Sequence, residues 1–224
     1  MLTIREVKQP MNEPNHSSGR IWPSVKRALD VTGSAVVIVV LSPLWVMLAV
    51  AIRIDSPGPM LFRQRRLGRG CRPFVMLKFR SMEAGASSDL HRRYIEQLVH
   101  EDPAAGETLR KLTDDRRVTR VGRLLRRTSL DEAPQLLNVL AGHMSLIGPR
   151  PALEYELEHY RPHHFRRFEV RPGLTGLWQT SGRARVGFME MLELDVEYVR
   201  RFSVSQDARI LLKTPLALRS SQTA

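Results

Sequence analysis

The chain has one cysteine, Cys71, among its 224 residues. No disulfide can close within it and no cysteine cluster can hold zinc. A reducing, cytoplasmic setting for the folded part fits this usage. The seven histidines show no HExxH spacing. His163 and His164 are adjacent and would point about 100° apart on a helix, which reads as a surface pair rather than as metal ligands. A Walker loop, a GxGxxG turn and a GxSxG elbow are also missing, so an ordinary nucleotide fold has no signature here. There is no internal repeat. Charge is absent altogether from Val31 to Ile52.

Positive charge, by contrast, is plentiful. Lys and Arg number 35 against 23 acidic residues, a net of +12, and most of the cations are arginine. Such an excess implies a polyanionic partner: nucleic acid, an anionic membrane surface or phosphorylated substrates. The uncharged segment disfavours the first of these, because a nucleic-acid binder has no use for it. The length suits one domain with a real core, or a domain plus an appendage.

Residues 1–24 are polar, with Pro10, Pro14, Asn12, Asn15, Ser17, Ser18 and Gly19, and read as a loose tail. Residues 25–55 then form a membrane segment. As a straight helix, the uncharged stretch rises roughly 33 Å, enough for a bilayer core of about 30 Å. However, Ser42-Pro43 falls in its middle. Pro43 donates no backbone hydrogen bond and crowds the carbonyl of Val39. A break there leaves two legs of roughly 15–18 Å, each too short to cross. Arg20, Lys26 and Arg27 precede the segment, and Arg53, Arg63, Arg65, Arg66, Arg69 and Arg72 follow it. Basic flanks at both ends favour a helix-break-helix hairpin that keeps both on the cytoplasmic side. The Ser42 hydroxyl can serve a carbonyl freed at the bend. A spanning helix is the main alternative. A cleaved signal peptide ending at Ala49-Val50-Ala51 is disfavoured by the arginines beyond it, and a buried soluble helix by the lack of a polar face.

Residues 56–224 form the remaining domain, and the chain reads as α+β, mostly helical. Asp55-Ser56-Pro57-Gly58-Pro59 is a turn cluster. Met60 to Met82 suggests a short strand or hairpin. Ala84 to Lys111 reads as helix with a loop at Asp102-Pro103. Helices are predicted over Val118–Arg127, Ala133–Leu140 (stopping near Gly142), Glu154–Tyr160 and Phe188–Phe202. In the last of these, Phe188, Met191, Leu192, Val196 and Val199 form one core-facing stripe. Gly148-Pro149-Arg150-Pro151 is rigid loop. The segment Ile210 to Leu218 is too short to span a bilayer; a membrane-surface segment and a plain terminal core segment fit it equally.

The most pointed chemistry lies in Arg126-Arg127-Thr128-Ser129-Leu130-Asp131-Glu132-Ala133-Pro134-Gln135. Ser129 and Glu132 have capping-box spacing, and Pro134 suits a first turn. Either register sets Asp131 at a helix N-terminus, where the dipole favours its ionised form. An ionised aspartate is a competent nucleophile toward phosphorus, and Glu132 beside it suits a hard divalent cation. Taken locally, ordinary capping explains both carboxylates better. The surrounding cations change the balance. Lys78, Arg80, Arg126, Arg127 and Arg150 are candidates to clamp phosphates, and Arg150 is fixed between two prolines.

In order along the chain stand Lys26-Arg27-Ala28-Leu29-Asp30, Ser42-Pro43, Asp55-Ser56-Pro57-Gly58-Pro59, Gln64-Arg65-Arg66-Leu67-Gly68, Lys78-Phe79-Arg80-Ser81-Met82, Thr128 to Gln135, Met144-Ser145-Leu146-Ile147-Gly148-Pro149-Arg150-Pro151 and Arg171-Pro172-Gly173-Leu174-Thr175-Gly176-Leu177-Trp178-Gln179. Together they resemble the bacterial sugar transferases, the monotopic phosphoglycosyl transferases that initiate exopolysaccharide, O-antigen and glycoprotein glycan assembly. The resemblance covers about Lys26 to Thr214. It implies a re-entrant helix bent at Ser42-Pro43 and a catalytic domain on the cytoplasmic face of the bacterial inner membrane. It also implies an Asp131-Glu132 dyad that holds Mg²⁺, with Arg171, Gln179 and Arg183 added to the substrate-binding set. The implied reaction moves a sugar phosphate from a UDP-sugar to undecaprenyl phosphate, through an aspartyl phosphosugar, and releases UMP. The expected partners are these two substrates and membrane lipids, with no nucleic acid and with a homo-oligomer open. His143 and Phe202 depart from the family's usual Asp and Trp. With only a short tail before the membrane segment, the chain looks like a minimal catalytic unit. The rival reading, an inactive membrane-anchored scaffold, has no use for adjacent carboxylates among phosphate-binding cations.

Overall fold

A computed structural model describes residues 22–83, 89–100, 115–181 and 187–220. Its first element, α1, is a helix of 34 residues over Trp22–Asp55 with Pro43 inside it. The last three residues expected in the tail are therefore helical. Pro43 leaves the Val39 carbonyl without its usual donor, and the Ser42 hydroxyl donates to that oxygen at 2.8 Å. The helix thus continues through the proline as one element, where two legs separated by a break were expected.

Both ends of α1 are fastened to the same body. At the N-terminal end, Lys26 pairs with Asp207 at 2.7 Å. Arg27 donates to the carbonyls of Val139 and Leu140 at 2.6 and 3.0 Å, and Asp30 accepts from the Leu146 N–H at 2.9 Å. At the C-terminal end, Leu48 and Ile52 pack with Phe79 and Leu125, and Asp55 accepts from the Val121 N–H at 2.8 Å. Between these ends Val36, Val39, Val40, Val46 and Met47 are each 60% exposed or more. Leaving such side chains in water forfeits roughly 1.5–3 kcal/mol apiece, so this stretch seeks an apolar medium.

The expected hairpin is present. Strand β1 (Leu61–Leu67) pairs antiparallel with β2 (Pro73–Phe79) in register Leu61↔Phe79 to Leu67↔Pro73. Alternation sets Gln64 and Arg66 on one face with Met76 and Lys78. Helix α2 (Asp89–Val99) falls within the helix predicted from Ala84 to Lys111; Asp102-Pro103 lies outside the described residues. Helix α3 (Arg120–Thr128) begins at Thr119, whose side chain accepts from the Gly122 N–H. Helix α4 (Gln135–Leu140) is shorter than expected at its start.

A second small sheet was not foreseen. Strand β3 (Ser145–Ile147) pairs in parallel with β4 (Gly173–Thr175). Gly173 permits this, because a Cβ there would stand 2.0 Å from the Gly148 nitrogen. The stretch Glu154–His159 is 3₁₀ rather than α-helical, and a further 3₁₀ run covers Pro162–Glu169. Helix α5 (Leu177–Thr180) follows β4 directly. Helix α6 (Phe188–Arg200) buries all five residues of its predicted stripe. The C-terminal apolar run is part of a longer helix, α7 (Val204–Ser220). It buries Ile210 and leaves Leu211, Leu212 and Leu216 exposed. The fold is thus mostly helical, with two small sheets among the described residues.

Candidate active site

Helix α3 ends at Ser129, which turns left-handed at φ 56°. That reversal throws the chain into a single 3₁₀ turn, Leu130–Glu132, before Pro134 starts α4. Ser129 therefore closes α3 and makes no side-chain cap. The capping box suggested by its spacing to Glu132 does not form. Asp131 sits in the turn between the two helices, not in the first turn of α4. The Asp131 carboxyl is pushed up to about 6, by burial first and by Glu132 next, against the pull of Lys78 and Arg126. This corrects the expectation that its surroundings simply favour the charged form. At pH 7 it is still mostly ionised, but it is a costly carboxylate.

These two carboxylates line a cleft of ≈ 310 Å³. The hairpin contributes Arg66, Met76 and Lys78, α3 contributes Arg126, and the loop after β3 contributes Arg150 and Pro151. The β4–α5 segment contributes Gly173, Leu174, Trp178 and Gln179. Lys78 meets Glu132 at 2.8 Å. Arg126 donates to the Ser81 hydroxyl at 3.0 Å. Arg150 holds Glu156 at 3.1 Å. Gln179 is buried, and neither its Oε1 nor the Trp178 Nε1 has a hydrogen-bond partner among the described residues. The cleft thus collects Lys78, Arg126, Asp131, Glu132, Arg150 and Gln179 of the predicted set.

Three predicted residues are not brought there. Arg80 is buried and donates to the carbonyls of Ile52, Ser56 and Pro57, clamping the C-terminal end of α1. Strand β2 ends at Phe79, so Arg80 has left the face that Lys78 shares. Arg171 donates from Nε to the Gly142 carbonyl at 2.9 Å. Arg127 is exposed on α3. Arg183 lies outside the described residues. Arg66, Gln135 and Trp178 line the cleft as well; all three stand in the motifs of the resemblance, though none was among the expected site residues.

The carboxylate pair suits a hard divalent cation. Asp131 and Glu132 supply adjacent oxygen donors whose mutual repulsion raises the Asp131 carboxyl, and Mg²⁺ needs only one or two protein carboxylates when phosphates complete its shell. A second group of possible ligands, His163, His164 and Glu193, is less suited. His164 is fully buried, not a surface residue. Its Nδ1 accepts from the Arg161 N–H at 3.1 Å, so the neutral ring carries its proton on Nε2, which faces Glu193 at 3.0 Å. His143, one of the family departures, stacks on Phe74 with ring centroids 5.7 Å apart.

The match to known proteins is broad. The family model described as bacterial sugar transferase covers residues 21–221. The exopolysaccharide production protein ExoY of Sinorhizobium fredii is 41% identical over 84% of this chain and 83% of its own. The UDP-glucose:undecaprenyl-phosphate glucose-1-phosphate transferase of Caulobacter vibrioides is also 41% identical, over 89% of this chain and 71% of its own. The galactosyl transferase CpsE of Streptococcus agalactiae is 41% identical over 84% of this chain, which spans 41% of that longer protein. Motifs strung from Lys26 to Gln179, the cleft they build and these relatives lead to one family: the chain belongs to the bacterial sugar transferases.

Proposed function

We propose that this protein transfers a sugar phosphate from a UDP-sugar to undecaprenyl phosphate, as the name of its Caulobacter vibrioides relative states for glucose 1-phosphate. The observation that carries the reading is Asp131: a carboxylate held at about 6 inside a cleft lined by arginine and lysine. Desolvation makes it a stronger nucleophile than a surface aspartate, and a value near 6 keeps it ionised at neutral pH. In the first half-reaction an Asp131 carboxylate oxygen attacks the phosphorus next to the sugar. The P–O bond to the UMP moiety breaks, and UMP leaves with the electron pair. In the second, a phosphate oxygen of undecaprenyl phosphate attacks the same phosphorus and Asp131 is released as carboxylate. The products are UMP and the undecaprenyl diphospho-sugar. Lys78 orients Glu132, and Arg126 and Arg150 bind phosphate oxygens. Mg²⁺, held by Asp131 and Glu132, would neutralise phosphate charge.

The same reading makes α1 a re-entrant element in the bacterial inner membrane, with the catalytic body on the cytoplasmic face. Its support is that the ends of α1 dock on one body, at Asp207 and Leu146 on one side and at Phe79 and Val121 on the other. A bilayer cannot lie between two ends held by one body, whereas the exposed middle of the helix can enter one leaflet. A panel of UDP-sugars offered with undecaprenyl phosphate and Mg²⁺, with UMP as the readout, tests the reaction. Release of UMP from none of them, by protein that is folded and membrane-bound, contradicts it.

A further inference from the structure

We propose that Arg66 and Arg150 form a phosphate-binding pole on one wall of the cleft, with the buried carboxylate of Glu156 as its positioning residue. Arg66 is only 6% exposed yet lines the cleft. Its guanidinium is aimed by three bonds, one to the Pro151 carbonyl at 2.9 Å and two to Gln64 Oε1 at 3.1 and 2.8 Å. Arg150 stands beside it, and its NH1 donates to Glu156 Oε1 at 3.1 Å. Glu156 has no exposure, and its second oxygen accepts from the Leu153 N–H. Behind them Arg167 donates to the Arg150 carbonyl at 2.7 Å and pairs with Asp195 at 2.5 Å.

Among the described residues Arg150 and Arg167 pair with Glu156 and Asp195, whereas the direct partners of Arg66 are the neutral Gln64 and Pro151 groups, with Glu156 and Glu132 acting on it from farther off. Burial and the neighbouring Arg150 lower Arg66 to about 10. Glu156 is held below the usual carboxylate range despite its burial, by Arg150, Arg66 and Arg167. A buried guanidinium without a direct anionic partner is expensive, and Arg66 and Arg150 both line the cleft. A phosphate entering there supplies the missing negative charge and accepts from planar forks built for it. Of the other cations of the cleft, Lys78 is paired with Glu132 at 2.8 Å, and Arg126 lies in the field of Asp131, where it serves the phosphate at the nucleophile. A reaction that brings a diphosphate and then a monophosphate to one nucleophile has use for a second anion site. The pole rests on the transferase reading only for the identity of its ligand.

Inorganic pyrophosphate, titrated without metal into the full chain in detergent and followed by calorimetry, probes the pole apart from the sugar and the base. Arg66→Met is expected to weaken its binding at least tenfold and Arg66→Lys by less. Glu156→Gln is expected to weaken it about tenfold in the wild-type background and to add little to Arg150→Met, the coupling that marks a residue acting through another. Glu156→Asp should restore part of the loss. Unchanged affinity in Arg66→Met at a wild-type melting temperature overturns the pole. If Arg66→Met melts too low to assay, unchanged affinity in Arg66→Lys overturns it instead. Equal losses from Glu156→Gln in both backgrounds remove Glu156 as the positioning residue. Wild-type protein that binds no pyrophosphate also overturns the pole. Protein that binds pyrophosphate yet releases UMP from no UDP-sugar contradicts the transferase reading and leaves the pole standing.

Discussion

Asp131 is a poor choice for stability and a good one for chemistry. Its folded value of about 6 lies above the 3.8 of an ordinary aspartate. Between those two values the folded state holds more protons than the unfolded one, so this group destabilises the fold as pH rises through that window, and the cost is complete above it. Asp131→Asn should therefore raise the melting temperature of the ligand-free protein at pH 7.5, with the gain gone at pH 3.5, while transfer falls to background. Scanning calorimetry at the two values checks this. A variant less stable at pH 7.5 would mean that the carboxylate is not strained. Arg150 offers a second test at this scale. Arg150→Lys keeps the charge but loses the fork that reaches Glu156 and the cleft together. It should lower kcat/KM at least tenfold, about 1.4 kcal/mol in the transition state. Wild-type kinetics would remove Arg150 from the site.

Among the elements, what was legible was what carries a local pattern. Short apolar runs between basic residues marked the β1–β2 hairpin, and 3.6-residue spacing marked α3 and α6, which are long enough to show their period. The β3–β4 pair has three residues per strand, and its parallel register depends on Gly173 meeting the Gly148 backbone, a contact with no local pattern. Gly173→Ala should cost about 1–3 kcal/mol in chemical denaturation, since the opposing atom is backbone and cannot swing away. An unchanged midpoint would mean that the sheet yields. The motif singled out Asp131 and Glu132, and both line the cleft. Their turn was not legible, because the left-handed Ser129 arises where α3 meets the next element rather than from its own residue type. Arg80 was misplaced for a like reason: one residue past the end of β2 it turns to the α1 carbonyls. Lys26 and Arg27 were read as topology signals, yet they are spent on Asp207 and on the end of α4.

Taken whole, the molecule is a basic body tied at two places to one apolar helix. This arrangement is testable without reference to catalysis. Single cysteines at positions 10 and 100 should both react with a membrane-impermeant maleimide only from the cytoplasmic side. The native Cys71 should stay quiet, because burial pushes its thiol up to about 11. Pro43→Leu restores the lost backbone donor and should move the N-terminus to the periplasm in part of the population. Periplasmic labelling of position 10 in the unmutated helix would contradict the re-entrant reading. The central claim, however, is the covalent one, and intact-protein mass tests it most directly. Purified protein mixed with a competent UDP-sugar and Mg²⁺, with no acceptor present, should gain the mass of one sugar phosphate. The gain should vanish on adding undecaprenyl phosphate and never form in Asp131→Asn. An unchanged mass under turnover conditions, with kinetics that require both substrates bound together, would contradict it.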